Sequence, residues 1–141
     1  MSRIASSGQV RQREPRVRDK AHLGRVAKLS CVSCAVRGRS TWPVEVAHIK
    51  FGIPAAGWRA FGHAEKAHDF RTAPICSGCH RTDHGAQHQN RDGDEREWWI
   101  RIGVYPPAFC AALVAAFAAG TPGMAVVRQA ARGGFPWPED A

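Results

Sequence analysis

Cys31-Val-Ser-Cys34 and Cys76-Ser-Gly-Cys79-His80-x3-His84, with Val44-Glu-Val-Ala-His48 between them, decide how this chain can fold. Two cysteines separated by two residues can turn both sulfurs to one ion, and four thiolates complete a tetrahedral Zn²⁺ cage. Three imidazoles interleaved with that cage are left over. A structural zinc site is closed by its four protein ligands, whereas a catalytic ion keeps a position open for water. The pattern therefore supplies one closed site and the makings of an open one.

Outside these motifs, composition explains why a staple is needed. The 141 residues suit one domain. Between Arg59 and Arg101 the text is mostly His, Asp, Glu, Arg, Gly and Gln. So little apolar surface cannot hold a segment by itself, and a zinc cage can. No stretch approaches the roughly 18 unbroken apolar residues that a bilayer requires, so no membrane is expected as a partner. The polar, arginine-rich beginning lacks the apolar segment of a secretory signal. A cytoplasmic protein is expected, in which paired cysteines hold metal rather than form disulfides. Cys110, in the apolar C-terminal stretch, reads as a small buried side chain.

The net charge of +8 is uneven. Residues 1–30 carry Arg3, Arg11, Arg13, Arg16, Arg18, Lys20, Arg25 and Lys28 against Glu14 and Asp19, six of the eight excess charges. A basic arm of this kind suits a polyanion, because each phosphate neutralised releases counterions. A solvated tail is the bland alternative, and the zinc framework tilts the reading to nucleic acid. Residues 1–17 are expected to be a disordered arm, removable without altering the fold. Residues 18–141 then form one domain, with its core at about 31–90 and C-terminal helices at about 94–133.

Local patterns fill in the elements. Asp19 can cap a helix running to about Leu29, with Leu23, Val26 and Ala27 on one face. Trp42 to Ile49 alternates and is rich in β-branched residues, which predicts a strand, and Phe70 to Ile75 would be its returning partner. A long irregular loop lies between them, over about 50–68. The second cysteine pair should feed a helix from about Ser77 to Gln89. Its His80, His84 and His88 would form one stripe, since residues four apart share a helix face. Glu95 to Gly103 should be helical, with Trp98 and Trp99 packing rather than stacking on bases. Pro107 opens another helix that ends before Gly120, and Thr121-Pro122 opens the last. His22, His63 and His68 read as surface residues.

The order CxxC, strand ending in His, loop with Asp, CxxCH-x3-H resembles the HNH nucleases of the ββα-metal superfamily. Wider wording is similar to the small phage-associated HNH proteins related to recombination endonuclease Ref. It includes Arg18-Asp-Lys-Ala-His-Leu23, Val46-Ala-His-Ile-Lys50, Lys66-Ala-His-Asp-Phe70, Ala73-Pro-Ile-Cys76 and Glu95-Arg-Glu-Trp-Trp99. The resemblance implies an α+β fold: a small zinc-stapled ββα-metal, treble-clef-like core with additional N- and C-terminal helices. It implies a metal-dependent DNA endonuclease, nicking or cutting in phage or mobile-element recombination, with a homodimer as one way to break both strands. His48 then matches the general base, and Asp69 could hold its ring. Cys31, Cys34, Cys76 and Cys79 would hold structural Zn²⁺, and His80 and His84 a catalytic Mg²⁺, Mn²⁺ or other divalent ion. Ala47 stands where many members carry Asp or His as a further ligand, so Asp83 and His88 are candidates to complete the set. Arg37, Arg39, Lys50 and Arg59 could grip phosphates, with Arg11, Arg13, Arg16 and Arg18 from the arm. The rival expectation is a non-catalytic treble-clef zinc module that binds DNA or RNA.

Overall fold

Two strands of four residues each make the only sheet among the described residues. A computed structural model describes residues 15–62, 65–82, 86–89 and 95–139. β1 (Glu45–His48) runs antiparallel to β2 (Thr72–Ile75), pairing Glu45 with Ile75 and His48 with Thr72. Both strands are shorter than the alternating patterns around them. A two-stranded ribbon is marginal alone, and here helices on both sides bury it.

The helices are α1 (Lys20–Val26), α2 (Val32–Val36), α3 (Glu95–Ile102), α4 (Pro106–Ala119) and α5 (Gly123–Ala131). Asp19 caps α1 as its position predicts, its carboxylate accepting from the His22 backbone N–H at 3.0 Å. The buried face of α1 is His22 and Val26, so His22 is core rather than surface. Cys31 opens α2, with its sulfur accepting from the Cys34 N–H at 3.4 Å. The first cysteine pair is therefore the mouth of a helix, not a bare knuckle. Pro106 begins α4, and Gly120 ends it in the left-handed region at φ 72°. Gly123 begins α5 where any side chain would meet Phe117 and Leu29, a Cβ lying only 2.8 Å from the Phe117 ring. Pro122 occupies the cap position without a side-chain bond, so Thr121 does not cap this helix.

One apolar cluster joins these parts, from Val26 and Val32 through Ala73 and Ile75 to Trp98, Trp99, Phe109, Leu113, Val127 and Phe135. Trp98 and Trp99 are buried edge to face, with centroids 5.1 Å apart. Cys110 is buried as expected, and its thiol donates to the Thr72 carbonyl at 3.4 Å, tying α4 to β2. Burial pushes that thiol up to about 12. Among the described residues no single helix is long and apolar enough to cross a membrane. The architecture is α+β, with four clustered cysteines beside a two-stranded sheet.

The segment after β2 departs most from expectation. In place of one helix over 77–89, a π-helical turn spans Gly78–Thr82 and a separate 3₁₀ turn spans Gln87–Gln89. The histidine stripe is therefore not a straight ladder, and His84 lies outside the described residues. The loop after β1 is also more ordered than its glycines suggest. It contains a 3₁₀ turn, Pro54–Ala56, and a bridge between Ile53 and Trp58. Arg71, only 2% exposed, organises it. Its guanidinium donates to the carbonyls of Arg59 at 2.9 Å and Phe51 at 2.8 Å, and lies over the rings of Trp58 and Phe61. A cation buried among carbonyl dipoles and aromatic faces replaces part of its lost hydration.

Candidate metal centre and adjoining histidine cleft

Cys31, Cys34, Cys76 and Cys79 are all buried, and their sulfurs lie within 4.8 Å of one another. Tetrahedral thiolates at ~2.3 Å from Zn²⁺ would stand about 3.8 Å apart. Cys34 to Cys76 is 3.8 Å and Cys34 to Cys79 is 3.6 Å. The four residues could hold one metal ion such as zinc. Burial pushes the Cys31 and Cys79 thiols up, whereas hydrogen bonds from Thr41 and the neighbouring thiols outweigh burial and hold Cys34 down. A bound cation is what would favour thiolates throughout so buried a group. Arg37 contributes to the same balance, donating to Cys79 Sγ at 3.2 Å and Ser33 Oγ at 2.9 Å. Its Nη2 is thus engaged at the cage, while the residue as a whole is exposed.

Beside the cage lies a cleft of about 750 Å³ whose walls include His48, Lys50, Phe61, His80, His88 and Glu95. His48 stands at the end of β1 with 25% of its side chain exposed. Its Nε2 lies 3.1 Å from Asp69 Oδ1, and the Asp69 side chain is 3% exposed. Burial pushes the Asp69 carboxyl up, but the Asp19 N–H, His48 and Arg16 together outweigh it and hold it below the ordinary value. An ionised carboxylate only accepts, so Nε2 of His48 is the donor to Asp69, an arrangement that in a neutral imidazole leaves the lone pair on Nδ1.

The other wall repeats that logic. Glu45 Oε1 lies 2.7 Å from His80 Nδ1, and the same carboxylate is clasped by Arg81. Hydrogen bonds from Arg81 and then His80 hold the Glu45 carboxyl below its usual range. His80 Nδ1 is therefore the donor to Glu45, an arrangement that in a neutral imidazole leaves the lone pair on Nε2. It meets His88 Nε2 at 2.9 Å. Burial lowers His88, with His80 and Arg81 adding to the effect, so its ring is favoured neutral. Gln87 is buried in the same wall, and its Oε1 has no hydrogen-bond partner among the described residues. Glu95 accepts from Gln87 Nε2 at 3.1 Å, and burial raises its carboxyl.

Of the residues read from sequence, the fold brings together the four cysteines, and separately His48 with Asp69. It puts His80 in the cleft with His88, one of the two candidates to complete the ligand set. His84, Arg11 and Arg13 lie outside the described residues. Arg16, expected as a phosphate contact in a loose arm, instead donates to Asp69 Oδ1 at 2.9 Å and to the Ala67 carbonyl at 3.2 Å. Val17 N–H donates to His68 Nδ1 at 2.9 Å, and the Val17 carbonyl accepts from the Asp69 N–H at 3.0 Å. The arm boundary at residue 17 therefore falls inside a docked segment, and His68 is buried under it. Arg59 is engaged with Glu65, the Ala60 carbonyl and the Phe61 ring. Lys50 lines the cleft, and Arg18 and Arg39 are exposed.

Sequence reasoning missed Glu45, Arg71, Gln87 and Glu95. A lone carboxylate inside an otherwise apolar strand was a readable sign for Glu45. Nothing in the local pattern marked Arg71 as buried. Compared with protein-family models, curated proteins and solved structures, the chain matches none.

Proposed function

We propose that the protein is a metal-dependent DNA endonuclease of the HNH type. The observation that carries this reading is the pairing of two carboxylate-oriented imidazoles, His48 on Asp69 and His80 on Glu45, in the walls of one cleft beside a four-cysteine cage. Zn²⁺ held by the four cysteines would tie the start of α2 to the π-turn that follows β2 and so give the cleft a rigid floor.

His48 acts as general base. With Nε2–H committed to Asp69, its Nδ1 takes the proton of a water attacking the scissile phosphorus. The bond to the 3′ oxygen breaks, leaving a 5′-phosphate and a 3′-hydroxyl. His80 and His88 are the residues that would hold a divalent ion, which supplies charge stabilisation to the phosphate and leaving oxygen when bound. His84, from the same segment, is a further donor for it. The facing Nε2 atoms and the orphaned Gln87 Oε1 fit such a cation. Imidazole donors suit Mn²⁺, Co²⁺ or Zn²⁺ better than Mg²⁺. Glu45 fixes the His80 tautomer, as carboxylates behind metal-binding histidines do. In this reading His88 would serve as the ligand that Ala47 cannot supply.

DNA is the partner of this reading, attracted by the net charge of +8 through phosphates rather than base edges. A cytoplasmic setting and a role in phage or mobile-element recombination belong to the same proposal. Supercoiled plasmid incubated with the protein and Mn²⁺ should be nicked. His48→Ala should lower that rate at least a hundredfold while DNA binding survives. Binding without nicking under any divalent ion would replace this reading with the non-catalytic zinc module.

A further inference from the structure

The carboxylate behind His48 is shared. Asp69 Oδ1 accepts from His48 Nε2 at 3.1 Å and from Arg16 Nη2 at 2.9 Å, while Oδ2 accepts from the Asp19 backbone N–H at 2.7 Å. Both extra donors come from the few residues that precede α1. That stretch is fastened along its length: Arg16 Nε donates to the Ala67 carbonyl, Val17 N–H to His68, and Asp69 N–H to the Val17 carbonyl. His68 is pinned in turn, stacked on Phe70 at 5.1 Å and edge-on to Phe61 at 5.5 Å.

We infer that residues 15–19 are a positioning strap for the general base, with Arg16 acting on His48 through Asp69. The inference rests on the nuclease reading for its consequence in rate, though not for its geometry. A carboxylate 3% exposed has little water to hold it. Without compensating donors it would protonate or turn toward solvent. As a protonated acid, its hydroxyl would compete for the bond that fixes His48. Arg16 and the Asp19 N–H fill two of the lone-pair sites that His48 leaves, so the carboxylate stays ionised and fixed in one rotamer. His48 is then held in the Nε2–H tautomer with its ring plane set. The arginine is exposed over 27% of its side chain, enough to sense what binds the arm, yet its working end is turned inward. Residues 15–19 are thus fastened to the fold rather than hanging free of it. This root of the arm belongs to the apparatus that aims the base.

A double-mutant cycle with two readouts tests this. Arg16→Ala should lower the nicking rate at saturating DNA about ten- to a hundredfold, the range expected when a group behind a working ligand is lost. DNA affinity should stay within a fewfold of wild type. Arg16→Lys, which keeps the charge but cannot make both contacts, should recover part of the rate. Combined with Asp69→Asn, Arg16→Ala should add almost nothing, because both act through one bond. Lys20→Ala, removing the same charge four residues on, should leave the saturated rate unchanged.

The second readout needs no activity. Ring ¹⁵N spectra should show His48 protonated at Nε2 in the zinc-loaded wild type and mixed tautomers in Arg16→Ala, with zinc content and circular dichroism confirming the fold. If the wild type nicks nothing but this tautomer shift appears, the strap stands and the nuclease reading fails. Weaker DNA binding in Arg16→Ala, with the saturated rate and the His48 spectrum unchanged, would overturn the strap and return Arg16 to phosphate contact.

Discussion

The cysteine cage and the histidine cleft sit side by side yet are built on opposite principles. The cage draws four identical ligands from two short motifs, all buried, each pair locked by the turn that carries it. The cleft draws single residues from β1, the loop after it, a π-turn, a 3₁₀ turn and the start of α3. Two of its histidines, 15% exposed for His80 and 25% for His48, are held by carboxylates: Glu45 behind His80, Asp69 behind His48. Sulfur gives rigidity and closes off chemistry. Imidazoles on irregular backbone keep lone pairs available, and that availability requires a neighbouring region to supply stiffness.

If the cleft borrows its stiffness from the cage, disturbing the cage should cost most. Metal analysis should return about one tightly held Zn²⁺ per chain, and a strong chelator or Cys31→Ser should abolish the cooperative thermal transition. That is a loss on the order of 10 kcal/mol. A folded, metal-free protein would show that the two regions stand independently.

A change confined to the cleft side should cost less. Arg71→Ala removes the guanidinium that joins Phe51 and Arg59 and fills the space between Trp58 and Phe61. It should destabilise the fold by roughly 3 kcal/mol in urea titration and speed proteolysis within residues 51–62, with zinc content unchanged. Zinc loss on this substitution would mean that support also runs from cleft to cage.

The smallest effect should come from acid. The Asp69 carboxyl is held below its ordinary value in the fold, so its contribution to stability is fully present above about pH 4. That contribution is lost as pH falls through the depressed folded value. Wild type should therefore exceed Asp69→Asn in urea stability near neutrality, and the two curves should converge below about pH 4. Parallel curves down to that range would show that the charge on Asp69 is not what holds the strap.

Much of the scaffold was legible in the chain. The CxxC spacing, the Asp19 cap, the proline and glycine that bound α4 and the tryptophan pair of α3 all act through near neighbours or bulk hydrophobicity. The site was legible only where its residues belong to a motif, as His48 and His80 do. His88 was weighed as part of a regular helix, whereas it stands in the 3₁₀ turn Gln87–Gln89 and meets His80 from there. Arg16 looked like one arginine among many in a basic arm, and no local pattern separates an arginine that meets phosphate from one that meets a buried carboxylate 53 residues away.

The sequence by itself determined the closed site, because two cysteines on one turn are preset to share an ion and only two such turns are present. Tertiary structure alone decided which carboxylate stands behind which imidazole, and that the arm's root reaches the carboxylate behind His48. Those pairings join residues 21 to 53 positions apart. Their partners are chosen by where the packed core leaves a buried charge in need of a donor, which no stretch of chain can specify alone.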